Sequence, residues 1–429
     1  MSGDLSLREA AERALAQMRR AGFEHAQVTA TRTELNELNV NHDEPSLMRS
    51  TRSRKLAALG IVGGRKASAE LSEFDEAIVG RRVQALFGDA QHAPRDDANA
   101  VSAGQAARIV QGPQVADAGL LADKASELLE FRARETPKMM LEEAAVSHVA
   151  QRSHTLTSGG SELACDLGWY EIVAMGTARD GARVSSFNYT GGTAHDIAAC
   201  PAPALFGIGD MFRDTQAQIA TRPLEAKFRG DAILMPNAVA DLLEWLLDQL
   251  GDTQLIAGTS LYRDRVGQTI ASPLLRVRSR FDAPGVAALS ADAFATPPVE
   301  LVRAGRLATL TPSLYGSRKT GLPHVPVAAA GWDIAAGETP LREMIGSVAR
   351  GALVGRLSMG MPASNGDFSG VIKNSFAIVD GRLDHALSET MLTGNVARML
   401  LDIVAVSRER IDGGRLVQPW LQVSGLQFS

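Results

Sequence analysis

The sequence predicts an α+β protein of two domains. The first is an N-terminal α/β-sheet domain over residues 1–224, and the second a C-terminal, β-rich domain with a few helices over residues 225–429. Three observations predict this. At 429 residues the chain is longer than one ordinary core accommodates. The first half mixes well-signalled helices with alternating strands. The second half has fewer helical signals and recurrent Gly and Pro, and the change falls near Arg222-Pro223.

The elements follow in order. SLREAAERALAQMRRAG predicts a helix with a capping box, Ser6 with Glu9 three residues on, and Gly22 at its stop. AQVTATRTELNELNV alternates as a strand, and KLAALGIVGGRKASAE predicts a hairpin turning at Gly63-Gly64. LSEFDEAIVGRRVQALFGDA is a second helix. Residues from about 88 to 120, rich in Ala, Gly, Asp and Pro, form a long connection. ADKASELLEFRARETP is a helix ended by Pro137. Strands follow from Leu141 to about Tyr189, turning at Ser158-Gly159-Gly160 and at Arg179-Asp180-Gly181, and a helix lies within Asp210 to Ile219. In the second half, RVGQTIASPLLRVRS and GVIKNSFAIVDGRL fit strands, the latter turning at Asp380-Gly381. TPLREMIGSVARG fits a helix with Thr339 as its cap and Pro340 at its first position, and ETMLTGNVARMLLDIVAVS holds another helix.

Composition narrows the function. Hydrophobic residues make up 45% and charged residues 22%, as in soluble globular proteins. A net charge of -5 gives no general attraction to nucleic acid or anionic membranes, so neither is expected as a partner. No basic-then-apolar leader and no apolar run of about 20 residues is present. Cys165 and Cys200 lack CxxC spacing and are too few for a disulfide framework, so a reduced, cytoplasmic setting is expected.

Recognisable chemistry is sparse. Neither GxxxxGK[ST] nor a GxGxxG after a strand occurs. GTSLY, around Ser260, lacks the second glycine of a nucleophile elbow, which leaves an ordinary loop serine. His148 and His154 are six apart in a strand, too far to share a metal unaided, and read as solvated or hydrogen-bonded. Arg49, Arg52, Arg54 and Lys55 have no interleaved aromatics and read as a solvated strand or hairpin face.

Two stretches stand out. DAILMPNAVADLLEWLLDQLGD predicts a buried strand, a proline turn and a helix whose Asp241, Glu244 and Asp248 share one face. Those carboxylates hold a metal (a hard cation) or move protons, or they face water. In MPASNGDFSGVIKNSFAIVDGRL, Asn365, Gly366 and Asp367 signal a turn that Phe368 anchors, with Ser369 following. It is either a structural turn or a peptide-binding loop.

The order of these segments resembles the TldD/PmbA family, once called modulators of DNA gyrase and linked to peptide processing. GIVGGRKASAE and LTSGGSE match in the first half. GTSLYRDRVGQTIAS, FDAPGV, VELVRAGRLATL, SRKTGLP, GWDIAAGETPLREMI, NGDFSGVIKNSFAIVDGRL and LTGNVARMLLDI follow in family order. One kind of member carries His-Glu-x-x-x-His at the start of a helix directly after a strand, with a later Cys, and resembles a zinc protease. Two imidazoles on adjacent helical turns can share a metal, and the Glu can activate its water. The PmbA (TldE) branch lacks those ligands and pairs with the first kind.

Carried onto this chain, the motif begins after Met235. It places Pro236 and Asp241 where the histidines stand and Asn237 where the glutamate stands. Proline offers no ligand atom, Asn is no base at neutral pH, and AVSRERIDGGRLVQPWLQVSG contains no Cys. The resemblance therefore implies a metal-free subunit, without cofactor or catalytic residues of its own, of a TldD/PmbA-type peptidase acting on unfolded or small peptides. Its partner is either a TldD-like metal-bearing subunit or a second copy. The alternative is a stand-alone, homodimeric protein that binds extended peptides at a sheet edge. A hydrolase with an unrecognised site is a third reading, for which no nucleophile–base pair is visible.

Overall fold

The computed structural model describes residues 5–328 and 330–429, so the first four residues of the expected N-terminal domain lie outside it. The fold is α+β, built on two sheets. Helix α1 (Leu7–Ala21) starts with the expected capping box. The Ser6 hydroxyl accepts from the Glu9 amide at 3.2 Å, and the Glu9 carboxylate accepts from the Ser6 amide at 2.9 Å. Gly22 closes the helix at φ 104°, a conformation that glycine adopts without strain.

Strands β1 (His25–Asn41), β2 (Glu44–Val62) and β3 (Arg65–Leu71) follow, then α2 (Glu76–His92), β4 (Ala106–Gln111) and α3 (Ala118–Glu135). Next come β5 (Met139–Thr157), β6 (Glu162–Asp180), β7 (Arg183–Val184), β8 (Asn188–Ala194) and α4 (Ile208–Ala217). The sheet order is β3-β2-β1-β5-β6-β4, with β7 and β8 also on β6. The central strands are 17 to 19 residues long, so one sheet supports two cores. Helices α1 and α2 cover one with Met18, Val83 and Leu86, while α3 and α4 cover the other with Leu121, Leu128 and Phe212.

The second sheet begins with β9 (Thr221–Arg222) and β10 (Phe228–Leu234). Then come α5 (Pro236–Leu250), α6 (Asp252–Ala257), β11 (Val277–Ser279), β12 (Glu300–Arg303), β13 (Arg306–Leu307), α7 (Leu314–Thr320), β14 (Trp332–Ile334) and α8 (Leu341–Ser347). The chain continues through β15 (Arg350–Val354), β16 (Arg356–Ser358), β17 (Asp367–Lys373), β18 (Phe376–Val379), β19 (Arg382–Leu387) and β20 (Thr390–Asn395). It ends with α9 (Val396–Leu401), β21 (Ile403–Asp412) and β22 (Leu416–Phe428). β22 pairs with β10, β14, β20 and β21. The turn between β18 and β19 falls at Asp380-Gly381, as its sequence demands, with both residues at positive φ.

Three expectations need correcting. The connection from 88 to 120 is not structureless: α2 runs on to His92, and Ala106–Gln111 is β4, an edge strand parallel to β6. Parallel pairing depends on a distant partner, so nothing local announces it. Within RVGQTIASPLLRVRS only Val277–Ser279 is strand; before it, the chain is held by single loop hydrogen bonds such as Ile270 N to Gly305 O. Helix α8 starts at Leu341 with Pro340 as its cap residue. Thr339, displaced from the cap, bridges instead to Ser407.

The two sheets are clasped at α7. The Asp96 carboxylate, in the connection after α2, accepts from Tyr315 Oη at 2.7 Å and from Lys319 Nζ at 3.0 Å. The Ala98 amide and these two donors hold its pKa down from 3.8 to about 2. A carboxyl with a depressed folded-state pKa stabilises the fold above its unfolded pKa, and that contribution disappears as pH falls through the folded one. Asp96→Ala is therefore expected to lower the melting temperature at pH 7, with the gap from wild type narrowing between about pH 4 and about pH 2. A gap that stays constant over this window, in melts recorded at matched ionic strength, contradicts the clasp.

Candidate functional site

β10 delivers Ile233 and Leu234 into the core, fully buried, and α5 starts at once. Met235 is the N-cap residue, without a side-chain cap. Pro236 occupies the first helical position, where its missing N–H costs nothing. Pro236, Ala238, Val239, Leu242, Leu243, Trp245 and Leu246 then bury one face, which fixes the helix on the sheet.

The start of α5 opens into a small cleft of about 90 Å³ where the two sheets meet. Its wall includes Asn188, Gly191, Asp210, Asp214, Pro236, Asn237, Asn374, Gln418 and Trp420. α4 supplies the two aspartates. Asp214 is pushed up to about 7, first by burial and then by the neighbouring Asp210, against the opposing pull of Arg213. Asn374 is 3% exposed and sits at φ 52°; its Nδ2 donates to Phe187 O at 3.2 Å, and its Oδ1 has no partner. The Trp420 indole N–H is likewise buried without a partner. Gln418, with its amide in the satisfied orientation, donates to Pro236 O at 3.2 Å and accepts from Ala240 N at 3.1 Å.

The donor set does not suit a zinc ion. Among the described residues no three His, Cys, Asp or Glu side chains come together in a metal-holding group. At the start of α5 stand Pro236, buried, and Asn237, exposed, with Asp241 one turn on. Asp241 is not on a solvated face, as its helical spacing suggested. It is half-buried against β16, and its pKa is pushed up to about 6 by burial and by Glu244, although the Leu357 amide and Arg356 pull it down. The helical wheel showed three carboxylates on one face but not the neighbouring strand. Asp248 instead accepts from Gln254 at 2.7 Å, and Glu244 is exposed.

The NGD turn lies at the other end of α5, as a brace. Asn365 Oδ1 accepts from the Asp367 amide, and Asn395 Nδ2 donates to Asn365 O and to the Asp367 carboxylate, both at 2.8 Å. Asn395 Oδ1 in turn caps α9 by accepting from Arg398 N at 2.9 Å. Trp245 and Gln249 of α5 donate to Ala363 O and Ser364 O just ahead of the turn. Phe368 is buried, and the Ser369 hydroxyl meets Thr393 at 3.1 Å across the β17–β20 pair.

The remaining candidates are dispersed. His148 is buried on β5 with Nε2 at 2.8 Å from Pro113 O, while His154 contacts Glu162, so the two share nothing. Ser260 Oγ donates to Gln249 O at 2.6 Å and holds a loop. Arg49, Arg52 and Lys55 lie on the exposed part of β2 and pair with Glu37, Glu34 and Glu70. Cys165 is buried, its thiol pushed up to about 11 chiefly by burial, and Cys200 is exposed. In a larger cleft Ser290 donates to Asp292, which also contacts His324 at 3.1 Å. There the serine donates to the carboxylate rather than the imidazole, an order in which no base activates the hydroxyl.

Sequence reasoning missed Asp214, Asn374, Gln418 and Trp420. They come from three separate segments, and only the assembled sheets bring them to one wall. The Asn-Ser step at 374 held the sole local signal, an Asn suited to the left-handed conformation.

Two outcomes follow for variants. Gly366 sits at φ 91°, and a Cβ there would lie 3.1 Å from Ala397 N. Gly366→Val is expected to cost about 1–3 kcal/mol, read as a lowered melting temperature. Asp214 shows the opposite pH dependence from Asp96. Its raised pKa means that stability falls as pH rises from about 4 to about 7, because the folded state must then ionise a buried carboxyl. Asp214→Asn should thus stabilise the protein by on the order of 1–3 kcal/mol at pH 8, with little change at pH 4. Equal shifts at both pH values in denaturant titrations would exclude a buried, uncharged Asp214.

Comparison with known proteins gives a domain family for the C-terminal part and a fold for nearly the whole chain. Residues 228–429 match the family described as PmbA/TldA metallopeptidase C-terminal domain. Curated proteins give no significant match. TldE from Thermococcus kodakarensis superposes with a TM-score of 0.82 at 17% identity, covering 98% of this chain and 100% of that one. A candidate modulator of DNA gyrase from Bacteroides thetaiotaomicron gives 0.84 at 18% identity, over 98% of each chain. A second, from Thermotoga maritima, gives 0.79 at 14% identity, over 99% of this chain and 100% of that one. At these identities the superpositions establish the fold. Residues 228–429 thus carry the PmbA/TldA metallopeptidase C-terminal domain, and nearly the whole chain shares the fold of TldE and of the two candidate gyrase modulators.

Proposed function

We propose that the chain is a metal-free subunit of a TldD/PmbA-type peptidase assembly, one that helps to enclose a peptide without cutting it. The observation that carries this is the first turn of α5. By the resemblance it stands where the family's metal motif begins, yet it brings Pro236 and Asn237 to a cleft with no imidazole or thiolate on its wall, and Asp241 lies half-buried against β16. Proline, amide and a half-buried carboxyl neither hold zinc nor deliver a hydroxide. The proposed partner is a metal-bearing relative, and the substrates are unfolded or small peptides. The two domains of the proposal divide near residue 225.

A second reading has one observation in its favour. β3 pairs only with Leu56–Val62 of β2, so Glu44–Lys55 is an exposed strand edge beyond it. Such an edge accepts an extended peptide as a further strand.

The two readings separate in solution. The subunit reading predicts no stoichiometric zinc and no cleavage by the chain alone, with cleavage by a metal-bearing relative rising when this chain is added. It also predicts a complex burying well over ~1,200 Å². Micromolar binding of unstructured peptides by the isolated chain, abolished by a proline in Glu44–Lys55, favours the sheet edge instead. Hydrolysis by the isolated chain that survives chelation and repurification overturns both.

A further inference from the structure

We propose that the cleft at the start of α5 is a receptor for a single uncharged carboxamide, the side chain of a Gln or Asn in a bound peptide. The inference rests on the reading above only for the presence of a peptide.

Two wall residues, Asn374 and Trp420, each carry an unused polar group. Asn374 Oδ1 is an acceptor without a partner on a residue 97% buried, and its direction is fixed because Nδ2 is tied to Phe187 O. The backbone holds it further: Gly355 packs so closely on Asn374 O that a Cβ there would overlap it. The Trp420 indole N–H is a donor without a partner. The first turn of α5, uncapped by any side chain, ends at the same cleft. Buried polar groups in folded proteins are almost always satisfied, so an orphaned acceptor and an orphaned donor on one wall mark a place where something else supplies the partners.

Charge and polarity select the partner. A carboxylate would face the Asp210 carboxylate. An ammonium would face the positive end of α5, a 15-residue helix. An apolar side chain would leave Asn374 and Trp420 desolvated and unpaired. A carboxamide is neutral and carries both a donor and an acceptor.

The test uses the full isolated chain and N-acetyl-glutamine-N′-methylamide, with the Glu, Lys and Met counterparts as controls. Calorimetry gives affinities, and the Trp420 indole cross-peak, identified by its loss in Trp420→Phe, places the probe. The expected result is a saturable shift of that peak with the Gln probe and at least ~10-fold weaker binding of the Met probe, as for a site built around polar partners. Trp420→Phe removes an N–H that has no intramolecular bond, so the variant should fold and bind the Gln probe several-fold more weakly. Asn374→Gly, which tolerates the positive φ, should do the same. Equal affinity for Gln and Met probes, preference for Glu or Lys, or no saturable shift overturns the proposal. Failure to assemble with a metal-bearing relative would leave these results untouched, so this inference and the subunit reading fail separately.

Discussion

The C-terminal domain depends on its last strand. β22 hydrogen-bonds to β10, β14, β20 and β21, elements drawn from residues 228 to 412. Its period of two is used on both faces. Val417, Leu421 and Val423 enter the core, while Gln418, Trp420 and Gln422 point the other way. On that second face Gln422 bonds Asp231 and Ser347, and Gln418 and Trp420 line the cleft. The strand that completes the sheet therefore also completes the candidate site. Neither can form until the final residues of the chain arrive, and such non-local pairing is slow to assemble.

The same constraint explains why the cleft lies between the sheets. The β21–β22 turn brings Gly413 and Gly414 against β8, where Thr193 N donates to Gly413 O at 3.1 Å. Gly414, at φ 80°, lies so close to Thr193 that a side chain would overlap its carbonyl. Thr193 Oγ1 reaches Pro284 O at 3.0 Å, and Gln218 reaches Ser375 O at 2.8 Å. Arg356 lies over the ring of Tyr189, 4.1 Å from its centroid, and donates to its hydroxyl. These contacts lock α4 and β8 against the second sheet. That placement puts Asp214 in surroundings that disfavour its charge.

What was legible in the sequence was what local rules govern. Ser6 and Glu9, the Gly63-Gly64 and Asp380-Gly381 turns, and the apolar spacing of α5 each determine their structure within a few residues. The family's order of segments was legible as well, because it needs only short matches in sequence. β4 was not, since its pairing lies with residues more than fifty positions away. Asp241 was misjudged for a related reason: periodicity places it on a face but does not show that Leu357 and Arg356 come to that face. The cleft was wholly illegible. Its wall joins α4, α5, the β17–β18 turn and β22, and no one of those segments looks unusual alone.

α5 shows how one helix is anchored at both ends of its length. Its anchorage comes from Val239, Leu242, Leu243 and Leu246 in the core, and from Trp245 and Gln249 at the segment leading into the NGD turn. Val239 belongs to the first turn, where Pro236 and Ala238 are buried beside it. That turn contributes an exposed Asn237 and a proline at the one helical position that tolerates it. The brace at the far end is different: through Asn395 it couples α5, β17, β20 and α9, so a change there is felt by four elements. α5 is thus held along its length, by its buried face from Pro236 to Leu250 and by the NGD brace at its C-terminal end, and among its first residues Asn237 stands exposed.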